Sequence, residues 1–187
     1  MSNTASNVSA AKPKSTGAIW VAPLGTSLPT DTTTDISGTF TCLGYVSEDG
    51  LSNATDLESE TIKEWGGDTV LTIQTSKSDS FSFTLIESTN ADVLKFVHGS
   101  ANVSGALNSG LTVEVNGDDV EEHAIVIDMI LRDNTAKRIV IPDCKISEIG
   151  EVSYSASEAT GYEITVTCMP DSSGNTHYEY LKAAASA

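Results

Sequence analysis

The sequence predicts a mainly β domain: a β-sandwich or partly closed barrel with one flanking α-helix, long loops and terminal arms. Three observations carry this. Short windows along the chain alternate apolar and polar residues with the period of two that strands require. One window, Asn90 to His98, combines helical spacing with start and stop signals. The chain has 187 residues, 39% of them hydrophobic, which is enough for one core but not for two.

Taken in order, residues 1–16 are rich in Ser, Asn, Thr and Ala and read as a flexible N-terminal arm. The β domain is expected over 17–169 and a C-terminal arm over 170–187. Gly17 to Ala22 form a strand that Pro23 stops, and residues 23–38 read as a long loop. Phe40 to Ser47 form a second strand, and Glu48-Asp49-Gly50 is a turn signal. Residues 49–67 are polar and acidic and read as a second long irregular stretch, ending at Trp65-Gly66-Gly67. A loop of that length in a compact domain points to function or a partner. Strands at 68–75 and 80–87 are expected to form a hairpin through Ser76-Lys77-Ser78-Asp79.

The helix follows, capped by Thr89 or Asn90, with Val93, Leu94 and Val97 as its apolar stripe and Gly99 as its stop. Further strands are expected at 111–115, 123–132, 138–149 and 162–169, with a hairpin turn at Asp133-Asn134-Thr135-Ala136. Pro142 inside its run points to a bulge or an edge. The C-terminal arm has a short apolar tip around Tyr178, Tyr180 and Leu181.

Composition excludes several functions. Ten Lys and Arg against 26 Asp and Glu give a formal net charge of -16, which repels nucleic-acid phosphates and anionic membranes. Cys42, Cys144 and Cys168 show no metal-ligand spacing and read as packed, reduced thiols. The start lacks the apolar stretch of a signal peptide, and Asp128 and Arg132 break the most apolar windows, so no membrane contact is expected. None of GxSxG, GxxxxGK[ST], HExxH or GxGxxG occurs. His98, His123 and His177 are isolated in sequence and read as surface or cap residues. Asn116 to Glu122 lacks the ligand spacing of a calcium loop and reads as a solvated acidic hairpin turn. No catalytic residue, metal or cofactor is expected.

The strand faces say more. In the 68–87 region the odd positions include Leu71, Ile73, Phe81, Phe83 and Leu85; the even ones include Thr72, Gln74, Ser80, Ser82 and Thr84. Strict alternation sends the two sets to opposite faces, one of them core. Tyr162, Ile164, Val166 and Cys168 against Glu163, Thr165 and Thr167 repeat the pattern. From pattern alone, the polar face is a solvated outer sheet face. Trp65, flanked by an acidic stretch and two glycines, is either an interface anchor or a packed side chain.

Several segments carry a family resemblance. They are Gly17-Ala18-Ile19-Trp20-Val21-Ala22-Pro23-Leu24-Gly25-Thr26-Ser27-Leu28-Pro29-Thr30, then 43–51 (LGYVSEDGL), then Lys63-Glu64-Trp65-Gly66-Gly67-Asp68, and finally 170–178 (PDSSGNTHY). In this order and spacing, over nearly the whole chain after residue 12, the sequence resembles the tail tube (major tail) proteins of long-tailed phages of Gram-positive hosts. That resemblance implies the tail-tube fold and a structural virion protein rather than an enzyme. It implies homo-hexameric rings stacked into a tube, assembled in the host bacterial cytoplasm, with tape-measure and tail-terminator or tail-tip proteins as partners. Double-stranded DNA then passes through the lumen without specific binding. On this view the polar face, Thr72, Gln74, Ser80, Ser82, Thr84, Glu163 and Thr165, lines the lumen. Asp56, Glu58, Glu60 and Trp65 belong to a ring-stacking loop. The alternatives are a secreted or surface-displayed, carbohydrate-binding β-sandwich module and a small hydrolase. The first wants rows of exposed aromatics, and only 6% of this chain is aromatic; the second wants a nucleophile–base set, and none is visible.

Overall fold

The structure is a computed structural model that describes residues 3–184. The outer ends of the two expected arms, residues 1–2 and 185–187, lie outside the described residues. The fold is mainly β with one α-helix among the described residues, as expected.

The strands are β1 (Lys12–Pro13), β2 (Ile19–Pro23), β3 (Thr41–Cys42), β4 (Val46–Lys63), β5 (Thr69–Leu85), β6 (Val103–Ala106), β7 (Gly110–Val113), β8 (His123–Ile130), β9 (Ala136–Ile149), β10 (Tyr162–Cys168) and β11 (Tyr178–Lys182); the helix α1 is Ala91–His98. Nine strands form one sheet in the order β3-β2-β8-β9-β10-β5-β4, with β1 added to β8 and β11 to β9. β6 and β7 form a separate two-stranded sheet. The first and last strands of that order, β3 and β4, are joined by only Leu43-Gly44-Tyr45. Three residues span roughly 14 Å at most between flanking Cα atoms, so the sheet must roll until its ends meet. Gly44 makes the crossing: its φ is 75°, and a Cβ there would run into the Glu87 carboxylate, which accepts a hydrogen bond from the Tyr45 amide at 3.0 Å.

The core fills the rolled sheet. Ile19, Val21, Ile125, Ile127, Ile139, Ile141, Ile164, Val166, Phe81, Phe83 and Leu85 all point inward. α1 inserts Val93, Leu94, Phe96 and Val97 among them. Each such fully buried side chain contributes about 1.5–3 kcal/mol. Asn90 caps the helix by accepting from the Asp92 amide at 3.0 Å, and Gly99 ends it at φ 92°.

Several expectations hold. Asp133 and Asn134 both adopt φ 56° in the turn before β9. Pro142 sits where the β8–β9 register slips, between His123↔Cys144 and Ile125↔Ile141. The stretches read as arms differ from that reading in part: Tyr178–Lys182 joins the sheet as β11, and Lys12–Pro13 pairs with β8.

Two expectations are overturned. Residues 49–67 are not a long loop: β4 runs continuously from Val46 to Lys63, and the Glu48-Asp49-Gly50 signal marks a bulge between the Val46↔Leu85 and Leu51↔Phe83 pairs. Ser76-Lys77-Ser78-Asp79 is not a turn either, because β5 is one strand from Thr69 to Leu85. The hairpin turn lies at 64–68, where the Glu64 amide donates to the Asp68 carbonyl at 2.9 Å and Gly67 takes φ 100°. A third difference is smaller: residues 114–122 connect the two sheets rather than turning a hairpin.

Candidate assembly surfaces

The outward face of the β9–β10–β5–β4 half carries small polar side chains that are half-buried, with Glu163 exposed. Cross-strand partners share a face, and the register places Glu163 opposite Thr84, Thr165 opposite Ser82 and Thr167 opposite Ser80. Ser82 and Thr165 join through their hydroxyls at 2.8 Å. The structure thus brings together Ser80, Ser82, Thr84, Glu163 and Thr165, as alternation predicts.

It does not bring Thr72 and Gln74 to them. Glu58 pairs with Ser76 but Ser59 pairs with Gln74, so Thr75 is an extra residue, a β-bulge, on β5. β4 runs through this point without interruption, so Ser59 and Thr61 share a face with Leu57 and Thr55, and therefore with Asp79 and Phe81. Thr72 and Gln74, paired to Thr61 and Ser59, lie on that same face, opposite Ser80 and Ser82. Strict parity along 72–84 fails because of this one residue.

Beyond Asp79 the β4–β5 hairpin leaves the body: every residue from Ser52 to Ser78 is exposed. From Asp56↔Ser78 to the tip this arm spans about 26 Å. Asp56, Glu58 and Glu60 lie along β4 rather than in a loop, and Trp65 tops the turn at 104% relative exposure, which removes the core reading of that residue. The turn is held by Glu64, whose carbonyl accepts from Gly67 at 3.0 Å and whose carboxylate accepts from the Asp68 amide at 3.2 Å. Hydrogen bonding from the Gly66 and Asp68 amides holds the Glu64 carboxyl below its ordinary range. Leu57, Ile62, Val70, Leu71 and Ile73 are also exposed on the arm. An isolated two-stranded hairpin is marginal in water, so an arm this apolar calls for a cover.

The root of the arm carries a site that sequence reading misses. Asp79 is 1% exposed and accepts hydrogen bonds from Asn53 Nδ2 (2.7 Å), Thr176 Oγ1 (2.8 Å) and His177 Nδ1 (2.5 Å). Phe81 meets the His177 ring edge-on at 5.3 Å. Burial pushes the Asp79 carboxyl up, but the hydrogen bonds outweigh it and the pKa is lowered. Asp79 thereby ties the C-terminal stretch to both strands of the arm. His177 is therefore neither a free surface nor a cap residue. His123 is not one either: its ring packs against Phe96 at 5.2 Å, and burial lowers its pKa.

No group of three or more His, Cys, Asp or Glu able to hold a metal exists among the described residues. Burial pushes the Cys144 thiol well up and that of Cys168 up to about 12, as befits packed sulfurs.

The fold is thus a rolled β domain with a polar outward face on one half and a long exposed arm. The chain belongs to the phage tail tube protein family, whose model matches residues 3–187, and it is structural rather than catalytic. Among solved structures, it is similar to the tube-terminating cap of the anti-feeding prophage, at 10% identity and a TM-score of 0.44 over 98% of this chain and 100% of that one. It is also similar to a chain of the sheath–tube complex of an extracellular contractile injection system in its extended state. There the identity is 8% and the TM-score 0.43, over 89% of each chain. No curated protein matches.

Proposed function

We propose that this tail tube protein polymerises as hexameric rings stacked into the tail tube, the conduit through which the genome leaves the virion. The observation that carries this reading is the β4–β5 arm, which holds apolar side chains in water with no cover from the described residues. A stacked ring supplies that cover. Asp56, Glu58, Glu60 and Trp65 then belong to a stacking arm rather than a stacking loop. Ser80, Ser82, Thr84, Glu163 and Thr165 face the lumen, wetting the wall without binding the double-stranded DNA that passes. Thr72 and Gln74, on the other face of the hairpin, leave that set. Assembly takes place in the host bacterial cytoplasm around a tape-measure protein, and terminator and tip proteins close the ends.

Electron microscopy of the concentrated protein and of parent virions tests this reading. Rings or tubes about one subunit thick in the wall are expected. A protein that stays monomeric and is absent from tails overturns it. In the same assay Trp65→Ala is expected to leave the subunit folded and cut tube yield at least about tenfold, since a buried interface Trp is worth roughly 2 kcal/mol or more.

A further inference from the structure

β9 and β10 set two of the chain's three cysteines side by side. The register pairs Cys168 with Cys144 directly across the strands, and the Met169 amide donates to the Asp143 carbonyl at 2.9 Å. In an antiparallel ladder that bond belongs to the adjacent residue pair. Cys168 and Cys144 are therefore a non-hydrogen-bonded pair, the kind whose Cα atoms stand closest, about 4.5 Å apart. Partners in such a pair share a face. Here it is the inner face: Cys144 and Cys168 are 1% and 6% exposed and belong to the main core. A disulfide needs Cα atoms roughly 4.4–6.8 Å apart with both side chains on one side, and this kind of pair supplies both. The two thiols are free. The third cysteine, Cys42, lies on β3 opposite Trp20 rather than a cysteine.

We propose that Cys144 and Cys168 are an oxidisable pair that closes to a cross-strand disulfide, stapling the β9–β10 hairpin once the protein meets an oxidising medium. The reaction balances with a small-molecule disulfide as oxidant. The thiolate of one cysteine attacks it and one small thiol leaves; the sulfur of the second cysteine then displaces the other. Two internal S–H bonds and one external S–S bond become one internal S–S bond and two external thiols. Cys168 is the entry point, being the more exposed of the two and the last residue of β10, where a strand opens first. The Cys144 thiol donates to the His123 carbonyl at 3.2 Å and gives up that weak bond on closure. Burial raises both thiols, which keeps thiolate scarce and the reaction slow. It does not oppose the product, because a disulfide carries no charge to desolvate. Thiols are held reduced in the cytosol and not outside it, so a virion component leaves the cell reduced and meets its oxidant afterwards. The pair lies at the end of the hairpin remote from the 150–161 connection, where a bond fastens strands that the connection leaves free to part.

The test uses the purified full-length protein, incubated with oxidised glutathione, then unfolded, alkylated with N-ethylmaleimide and mapped by mass spectrometry. One labelled cysteine, Cys42, is expected, with peptides joined through Cys144 and Cys168 that dithiothreitol separates. Cys42→Ala is expected to keep the link and Cys144→Ser to abolish it. The link is also expected to lower the unfolding equilibrium constant in urea at least about tenfold, with no effect of oxidant on Cys144→Ser. Should that variant fail to fold, the peptide map of the unaltered protein decides alone. Three labelled cysteines after days of incubation, a link to Cys42, or a glutathione adduct that never closes overturns the pair. A link that leaves the urea midpoint unmoved overturns the staple. Each readout is taken on the subunit, so the result stands apart from whether rings and tubes form.

Discussion

On one half of the rolled sheet the outward side chains are Ala22, Ala124, Val126 and Val140; on the other they are Ser80, Ser82, Thr165 and Thr167. The chain treats the two halves differently. Over the first it lays residues 24–40, burying Ile36 and Phe40 in a second small core with help from Trp20, Tyr178 and Tyr180. Over the second, the described residues build no such second core, and Ser80, Ser82, Thr165 and Thr167 stay half-buried. The covering loop is pinned by a buried ion pair: Arg138 Nε and Nη2 reach the Asp128 carboxylate at 2.6 and 2.8 Å, while Nη1 donates to the carbonyls of Asp31 and Thr34 at 3.0 and 2.9 Å. Asp31 shapes the loop from within, accepting from the amides of Thr34 and Thr33, which holds its carboxyl down to about 2. Where outward positions are apolar, the subunit closes itself; where they are hydroxyls, it leaves a surface in water. The arm breaks this rule, being apolar and uncovered, which is why it reads as an interface.

The largest effect separating the two halves should come from the clamp. Arg138→Ala strands Asp128 in a buried site, with only Lys14 at 3.4 Å to answer it, and frees the carbonyls of the loop. A loss of about 3–5 kcal/mol is expected by urea denaturation. Arg138→Met with Asp128→Leu should recover most of it, because an apolar pair of similar size leaves no buried charge. If the single change costs no more than an ordinary surface substitution, the covered half does not depend on its clamp.

A smaller effect is expected at the junction of arm and body. Asp79 has a lowered pKa in the folded chain, so its ionised form favours folding. That stabilisation is present above the unfolded value of about 3.9 and is lost as pH falls through the lower folded value. Asp79→Asn should cost about 1–3 kcal/mol near neutral pH, and the gap to the unaltered protein should close in acid. Denaturation series at neutral pH and near pH 2–3 check this; a gap independent of pH would show that the carboxylate's charge is not what holds Asn53, Thr176 and His177.

Legibility in the sequence follows burial. β10 buries one face and carries the period of two, β2, β8 and β9 bury both faces and read as short continuous apolar runs, and α1 announces itself by its cap and stripe. β4 could not be seen because from Ser52 to Lys63 both its faces are in water, and hydrophobic alternation has nothing to respond to. Its acidic residues are also poor strand formers, so the segment imitates a loop. Ser76 to Asp79 imitates a turn for the same reason on β5, although Asp79 is buried by partners from Asn53 and from Thr176 and His177, the latter nearly a hundred positions away. The hydroxyl face was legible as far as the strand is regular, from Ser80 to Thr84. The Thr75 bulge has no single-sequence signature, and parity arguments across it carry the wrong face.

The smallest effect on stability, and the one that best tests the polar half, comes from placing cations on it. The lysine that borders this face, Lys145 opposite Thr167, is engaged by Asp119 at 2.6 Å. The carboxylates near it, Glu163 opposite Thr84 and Glu148 opposite Thr165, leave it neutral to negative. Ser80→Lys with Ser82→Lys sets two positive charges among Thr165, Thr167, Ser52 and Ala54, where no carboxylate stands directly across. Thr84 is a poorer site, because Glu163 would neutralise the new charge. Exposed substitutions of this kind cost about 0.5 kcal/mol each or less, so folded subunits and assembled tails are expected. If the face lines the lumen, passing phosphates release counterions to these lysines and are held, so genome ejection slows. Raised salt restores it in part, since such binding weakens steeply with ionic strength. Thr72→Lys, on the opposite face of the hairpin, should leave ejection unchanged. Ejection that is normal in the Ser80, Ser82 variant, or slowed equally by Thr72→Lys, would remove the lumen assignment and leave a solvated outer sheet face.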